Sequence, residues 1–255
     1  MENFIEGLPK VSIVTVVYNA VQTVEDTVLS VLNQTYPNIE YIVIDGGSTD
    51  GTLEVLNRYQ DRITRFVSEP DKGIADGFNK GIALASGDWI GMINADDWYE
   101  PNAVELIMKA VSVEDNVCCG NIMLMGKNGY KRLKKSKVNR LNFGMYIMHP
   151  SCFIRKRVYN AIGNYNITLK IAMDFEMLMR IRAAGYQIKY INKLIANMRV
   201  GGASGNVWQM HKEEMAVMRL FLRGRSYSLS YIFKKLDMIR WRYFYKDPFG
   251  AVQHQ

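Results

Sequence analysis

The chain opens with short, near-continuous apolar runs separated by stretches in which apolar residues recur every three or four positions. Val11–Val17 (VSIVTVV), Ile39–Ile44 (IEYIVI), Ile63–Val67 and Asp88–Ile93 (DWIGMI) have the length and β-branched content of strands. Two of them are apolar almost throughout, which predicts burial on both faces of a parallel sheet. Between the strands, Val24, Val28, Val31 and Leu32 fall at i, i+4, i+7 and i+8 behind Thr23, an expected N-cap with Asp26 three residues on. Leu53–Tyr59 and Ile74–Ala85 fill the next two gaps as helices. This alternation predicts an α/β fold with helices on both faces of the sheet. Right-handed crossovers then bring the carboxyl ends of the strands to one edge, where such sheets bind ligands.

After Pro101 the pattern changes. A helix is expected from about 102 to 111, then an apolar run Val117–Met125 and a turn at Gly126–Gly129 (GKNG). The segment KRLKKSKVNR follows, with six basic residues and no acidic one. It reads as a solvated loop or a charge-protected edge strand, with contact to a phosphate as the alternative. Further on come a helix with an acidic start at Asp174, strands Tyr186–Ile191 and Leu194–Val200, a Gly201–Ser204 loop, and two helical stretches. Met173, Met177 and Met179 read as the buried part of the helix after Asp174, and Arg180 and Arg182 as surface or ion-paired positions.

Composition narrows the class. With 255 residues, 48% hydrophobic, 22% charged and 6 prolines, the chain is globular, and no apolar run approaches the roughly 18 residues of a membrane-spanning helix. The start, MENFIEGLPK, lacks the apolar stretch of a secretory signal, so a cytoplasmic location is expected, with Cys118, Cys119 and Cys152 as reduced thiols. The formal charge is +7, and residues 219–246 carry eight Lys and Arg against Asp237 alone. A localised anionic partner explains this better than a diffuse basic surface. In the same region Phe221, Tyr227, Tyr231, Phe233, Trp241, Tyr243, Phe244 and Tyr245 interleave with the cations. That pattern predicts amphipathic helices lying on an anionic membrane surface, with packing on the body of the protein or on a second subunit (a homo-oligomer) as the alternative. Nucleic acid is not expected as a partner, because no RNA-binding module accompanies the pattern.

Three strand ends carry candidate chemistry: Tyr18-Asn19 after the first strand, Asp45 leading into Gly46-Gly47-Ser48-Thr49-Asp50 after the second, and Asp96-Asp97 after DWIGMI. Two adjacent carboxylates at the exit of a buried strand repel unless a cation or hydrogen-bond donors compensate, and a hard divalent ion suits them. A turn or helix cap is the plainer reading of any one of these sites taken alone. His149 is a further candidate for a metal, phosphate or acceptor contact, with a structural histidine as the alternative.

The ordered segments VSIVTVVYN, IDGGSTDGT, SEPDKGIADGFNKGIALASGDWIGMINADD, HPSCFIRKRVYNAIGNYN and AMDFEMLMRIRAAGY resemble the inverting family 2 glycosyltransferases with the GT-A fold. The likeness is to members of bacterial O-antigen, capsule and exopolysaccharide synthesis and spans residues 9–202. It implies a GT-A domain, expected over 1–205, ahead of the basic-aromatic helical region at 206–255. It also implies Tyr18 near the uracil of a UDP-sugar, Asp45 and Asp76 near the nucleoside, and Asp96 facing ribose and donor sugar. Asp97 would hold Mn2+ or Mg2+, with His149 added as a metal ligand on its own position and not on the resemblance, and Asp174 would be the general base. The implied acceptor is a lipid-linked saccharide, met at the inner face of the membrane. Two positions depart from the family pattern: Met173 stands where many relatives have Glu, and Gly46 where many have Asp. The QxxRW motif of processive enzymes is absent, which implies transfer of one sugar per encounter. Rival readings are a nucleotidyltransferase on a similar sheet and a catalytically silent docking module. The first lacks a Gly-rich basic loop after strand one, and the absence of a P-loop and of GxGxxG sets aside ATPase and dehydrogenase readings.

Overall fold

A computed structural model describes residues 7–126, 129–201 and 206–244, apart from the side chains of 237 and 239–244. The first half follows the apolar pattern closely. Strands β1 (Val11–Val17), β2 (Ile39–Asp45), β3 (Arg65–Ser68) and β4 (Trp89–Asn94) alternate with helices α1 (Val24–Leu32), α2 (Thr52–Asn57) and α3 (Ile74–Leu84). All four strands are parallel, in the order β3-β2-β1-β4. Thr23 does not act as the expected side-chain cap of α1; its hydroxyl turns back to the Ala20 carbonyl at 3.4 Å.

The second half extends the sheet beside β4. In chain order it contributes β5 (Trp98–Tyr99), α4 (Ala103–Ala110), β6 (Val117–Met125), β7 (Lys131–Lys134), β8 (Phe153–Arg155), α5 (Lys156–Ile162), α6 (Met173–Ala183) and β9 (Ile188–Arg199). Past β4 the order continues β8-β6-β9-β5, and β7 pairs with β6 beyond the end of β8. The basic segment is therefore an edge strand over its first four residues and a 3-10 helix over Val138–Phe143. The two strands expected at Tyr186–Ile191 and Leu194–Val200 are one continuous strand, β9, with an irregular register opposite Asn121.

Alternating side chains divide the core in two. Val14, Val16, Ile42 and Ile44 face α3 and α6, while Ile13, Tyr41 and Val43 face the α1, α2 and α4 layer. Gly77 and Gly81, one turn apart on α3, let that helix lie against β1: a Cβ at either would stand 2.6 and 2.2 Å from a methyl of Val16 and Val14. The three cysteines are free and buried, and the Met173, Met177 and Met179 side chains lie in the core as expected.

The C-terminal helices α7 (Val207–Phe221) and α8 (Gly224–Phe244) pack against the rest of the protein. Val217 and Met218 of α7 enter the same core as α6, and Phe233 of α8 stacks on Phe143 at 5.2 Å. Lys234, counted among the basic tail residues, is buried in an ion pair with Glu214. The side chains of Trp241, Tyr243 and Phe244, together with Tyr245, Lys246 and Gly202–Ser204, lie outside the described residues. Among the described residues no helix is long and apolar enough to cross a membrane.

Candidate active site

The carboxyl ends of β1 and β4 open into one cleft of about 1560 Å³, closed on its far side by the segments 145–150 and 170–175 and by α7. Tyr18, Asp96, Asp97, His149 and Asp174 all line it. Asp45 and Asp76 do not.

Tyr18 stands at the rim, 64% exposed, where β1 ends. The next residue, Asn19, takes a left-handed turn (φ 47°) and accepts a hydrogen bond from the Thr49 N–H through Oδ1 at 2.9 Å. Asp45 is fully buried: its carboxylate accepts from the Gly47 and Ser48 N–H groups, each at 3.0 Å, and from the Ser48 and Ser68 hydroxyls. With both oxygens engaged, it shapes the glycine loop from behind. Asp76 likewise closes the turn before α3 by accepting from the Lys72 N–H at 3.0 Å.

The carboxylate that reaches the cleft on this side is Asp71, which sequence reasoning missed. Its Oδ1 accepts from Gly73 N–H at 2.8 Å, and its Oδ2 lies where a Cβ on Gly46 would be only 2.6 Å away. Gly46, one of the two departures from the family pattern, thus leaves room for the Asp71 carboxylate. The signal was an Asp-x-Gly turn immediately before a helix.

Asp96 and Asp97 form the turn between β4 and β5, and Arg199 at the end of β9 holds it. The Arg199 N–H donates to Asp97 Oδ1 at 3.1 Å, its guanidinium donates to the Asp96 carbonyl at 2.7 Å and pairs with Asp26, and it stacks over Trp98 at 4.5 Å. Burial raises the Asp96 carboxyl above its usual range; burial and the charge of Asp96 push Asp97 well up. Two crowded hard-oxygen donors at a cleft wall fit a divalent cation whose remaining ligands are water and diphosphate oxygens. Among the described residues no group of three His, Cys, Asp or Glu converges to hold an ion unaided. His149 lines the same cleft; its Nε2 is engaged by the Tyr165 hydroxyl at 2.9 Å, its ring packs on Phe78 and Tyr165, and burial lowers its pKa to about 4.

Asp174 lies in the first turn of α6 and faces the cleft. It accepts from the Phe175 N–H at 2.7 Å, yet burial, with Glu214 and Glu213 nearby, pushes its pKa up to about 7. These two glutamates come from α7. Glu213 accepts from the backbone N–H groups of Lys170, Ile171 and Ala172 at 3.2, 2.9 and 2.9 Å, and so pins the approach to α6. Glu214 accepts from Met145 N–H at 3.0 Å, pairs with Lys234 and lines the cleft. A carboxylate thus stands near Asp174 although Met173 occupies the position of the family's glutamate; it arrives from a helix about forty residues away in sequence.

A mostly parallel sheet with a cleft at its carboxyl edge and an aspartate pair leaving a central strand has the layout of the GT-A fold. The sequence matches the profile of Glycosyl transferase family 2 over residues 12–182, and the chain belongs to that family. It is 30% identical over 216 residues to a chondroitin synthase of Pasteurella multocida, covering 81% of this chain and 22% of that protein. The chain therefore spans about a fifth of the length of that relative. A PGL/p-HBAD biosynthesis glycosyltransferase of Mycobacterium bovis is 25% identical over 205 residues, covering 78% of this chain and 80% of the relative. Among solved structures, S. aureus TarS 1-349 in complex with UDP-GlcNAc superposes with a TM-score of 0.65 at 16% identity, over 92% of this chain and 73% of that one. The mannosyltransferase PcManGT from Pyrobaculum calidifontis, in complex with GDP-Man and Mn2+, gives 0.62 over 96% and 78%.

Proposed function

We propose that this chain transfers one sugar, with inversion, from a UDP-sugar to a hydroxyl of a saccharide carried on a lipid diphosphate, in the synthesis of a bacterial surface polysaccharide. The observation that carries the reading is a single cleft bounded by Asp96-Asp97 on one side and, on the other, by an aspartate with a pKa of about 7. UDP and UDP-GlcNAc in the TarS complexes support the donor class.

In this mechanism Tyr18 offers its exposed ring to the uracil, and Asp71 and the Gly46-Gly47 backbone border the nucleoside. Asp96 and Asp97 would hold a Mn2+ or Mg2+ ion, which when bound would neutralise the charge that develops on the departing diphosphate. Asp174 takes the proton of the acceptor hydroxyl as its oxygen attacks the anomeric carbon from the side opposite the diphosphate. The carbon–oxygen bond to UDP breaks as the new bond forms, and the configuration inverts. A base with a pKa near 7 is ionised in a useful fraction at neutral pH and still binds the proton firmly.

A membrane-facing role for the C-terminal helices, at the cytoplasmic leaflet, belongs to the same proposal. Leu229, Ile232 and Leu236 of α8 are exposed at i, i+3 and i+7, with Arg225 and Lys235 on the same helix. Such a stripe would bring the cleft to a lipid-linked acceptor. The test is a thermal-shift titration with UDP and Mn2+ together: stabilisation that needs both and disappears in Asp97→Ala supports the reading. Equal stabilisation of the variant overturns it.

A further inference from the structure

The strongest concentration of positive charge outside the tail is absorbed neither by the carboxylate pair nor by Asp174. From 116 to 173 the chain contains no Asp or Glu, while Lys and Arg recur throughout. Most of these cations point away from the cleft or serve the framework; Arg155, for example, donates to the Asp115 carbonyl and covers Trp89. Lys170 also lines the cleft, on the approach to α6; Arg132 and Lys134 line it as a pair. They sit two apart on β7, on one face of the sheet, opposite Leu124 and Ile122 of β6. Those two stand in turn beside Met198 and Ala196 of β9. Ile122, Met198, Arg132 and Lys134 all line the cleft, so its floor runs from the Asp97 turn across β9 and β6 to a rim formed by these two cations. Lys131 and Leu133, on the other face, do not line it.

This rim belongs to the Asp174 side. Ser136, just past β7, is buried; its hydroxyl accepts from Met148 N–H at 3.0 Å, and Lys137 N–H donates to the Tyr146 carbonyl at 2.8 Å. The neighbouring Met145 is held by Glu214, the residue beside Asp174. β7 is thus stitched to the wall that carries the general base, with its two cleft-facing cations beside that wall.

We infer that Arg132 and Lys134 form an oxyanion-binding subsite for the acceptor, suited to the diphosphate of a lipid-linked saccharide, so that the enzyme selects an acceptor that is charged close to its reacting hydroxyl. The inference rests on the glycosyltransferase reading above and adds the residues that would recognise the diphosphate of its acceptor. Arg supplies a planar fork for phosphate oxygens and Lys a point charge.

The test measures binding of geranyl diphosphate to the full chain by calorimetry, with UDP and Mn2+ saturating so that the donor region is occupied. Parallel arms use inorganic diphosphate, geraniol and methyl glucuronide, and UDP release from UDP-GlcNAc and UDP-glucose is followed without acceptor. The wild type should bind geranyl diphosphate. The Arg132→Met/Lys134→Met pair should bind it at least tenfold more weakly with unchanged UDP release, and Lys131→Met, on the opposite face, should match the wild type. A stronger response to methyl glucuronide than to either diphosphate replaces the lipid diphosphate by a uronate and overturns that assignment. Equal weakening by Lys131→Met means diffuse charge, and loss of UDP release in the double variant means the cations serve the donor; either result overturns the subsite. Absence of UDP release in the wild type defeats the glycosyltransferase reading itself, whereas its presence without diphosphate binding defeats only the subsite.

Discussion

Replacing Asp174 by Asn should slow transfer severely and, above neutral pH, make the protein more stable. The substitution keeps an oxygen able to accept the Phe175 N–H and removes only the charge. In the folded chain Asp174 has a pKa of about 7, raised by burial and by Glu214 and Glu213. In the unfolded chain it ionises near the ordinary value of about 3.9. Between these pH values the native state binds more protons than the unfolded state, so the Asp174 contribution to stability falls as pH rises through that window. About three units at roughly 1.4 kcal/mol each put the full penalty above pH 7 at about 4 kcal/mol, and Asn carries none of it. Urea unfolding of both proteins at several pH values reads the difference directly. The variant's advantage should be near zero at about pH 4 and grow to about 2–4 kcal/mol by about pH 8. Transfer should fall by about 10²–10⁴, the usual worth of a positioned base, and wild-type activity should rise with pH through about 7. An advantage independent of pH, or a wild type more stable than the variant at pH 8, would refute the argument that this carboxylate is held in a site which disfavours its charge.

Two further substitutions test the framework. Gly81→Ala gains about 1 kcal/mol of helix propensity, but its Cβ would fall 2.2 Å from Cγ1 of Val14, a branched side chain with little freedom to turn away, and overpacking costs about 1–3 kcal/mol. Thermal unfolding should therefore show a lower midpoint, and an unchanged or higher one would mean that α3 does not rest on β1 as described. Glu213→Gln sets an amide against backbone donors before α6 and should cost about 1–3 kcal/mol at neutral pH. Burial alone would raise the Glu213 carboxyl, but its N–H donors outweigh burial and hold it below the usual range, so its stabilisation is lost as pH falls through that lowered value. Denaturation curves of this variant and the wild type should converge in acid, and a gap that persists there would contradict the clamp.

The first four strands and three helices were legible because their apolar residues repeat with the periods of strand and helix and each element packs on its immediate neighbours in sequence. Asp174 could be placed at a helix start from its own segment, and the Asp96-Asp97 turn from the strand before it. The basic segment was harder to read: charge marked β7 as an edge, but only its pairing with β6 shows that Arg132 and Lys134 share a face with Ile122 and Leu124. Asp45, Asp71 and Asp76 show the limit most clearly. All three lie near strand ends or helix starts, and local sequence assigns them equally well to a ligand, yet only Asp71 reaches the cleft, because the glycine at 46 opens space for it while loop donors consume Asp45.

The amino-acid sequence alone therefore determined the parallel sheet, the edge at which the cleft opens, and the aspartates delivered by consecutive local units, since periodicity and turn chemistry act over a few residues. Only the tertiary structure decided which carboxylates face the cleft, that Arg199 buttresses the Asp97 turn, and that α7 and Lys234 of the basic tail return to support Asp174. Those outcomes depend on burial and on hydrogen bonds between residues far apart in the chain, and no local pattern encodes them.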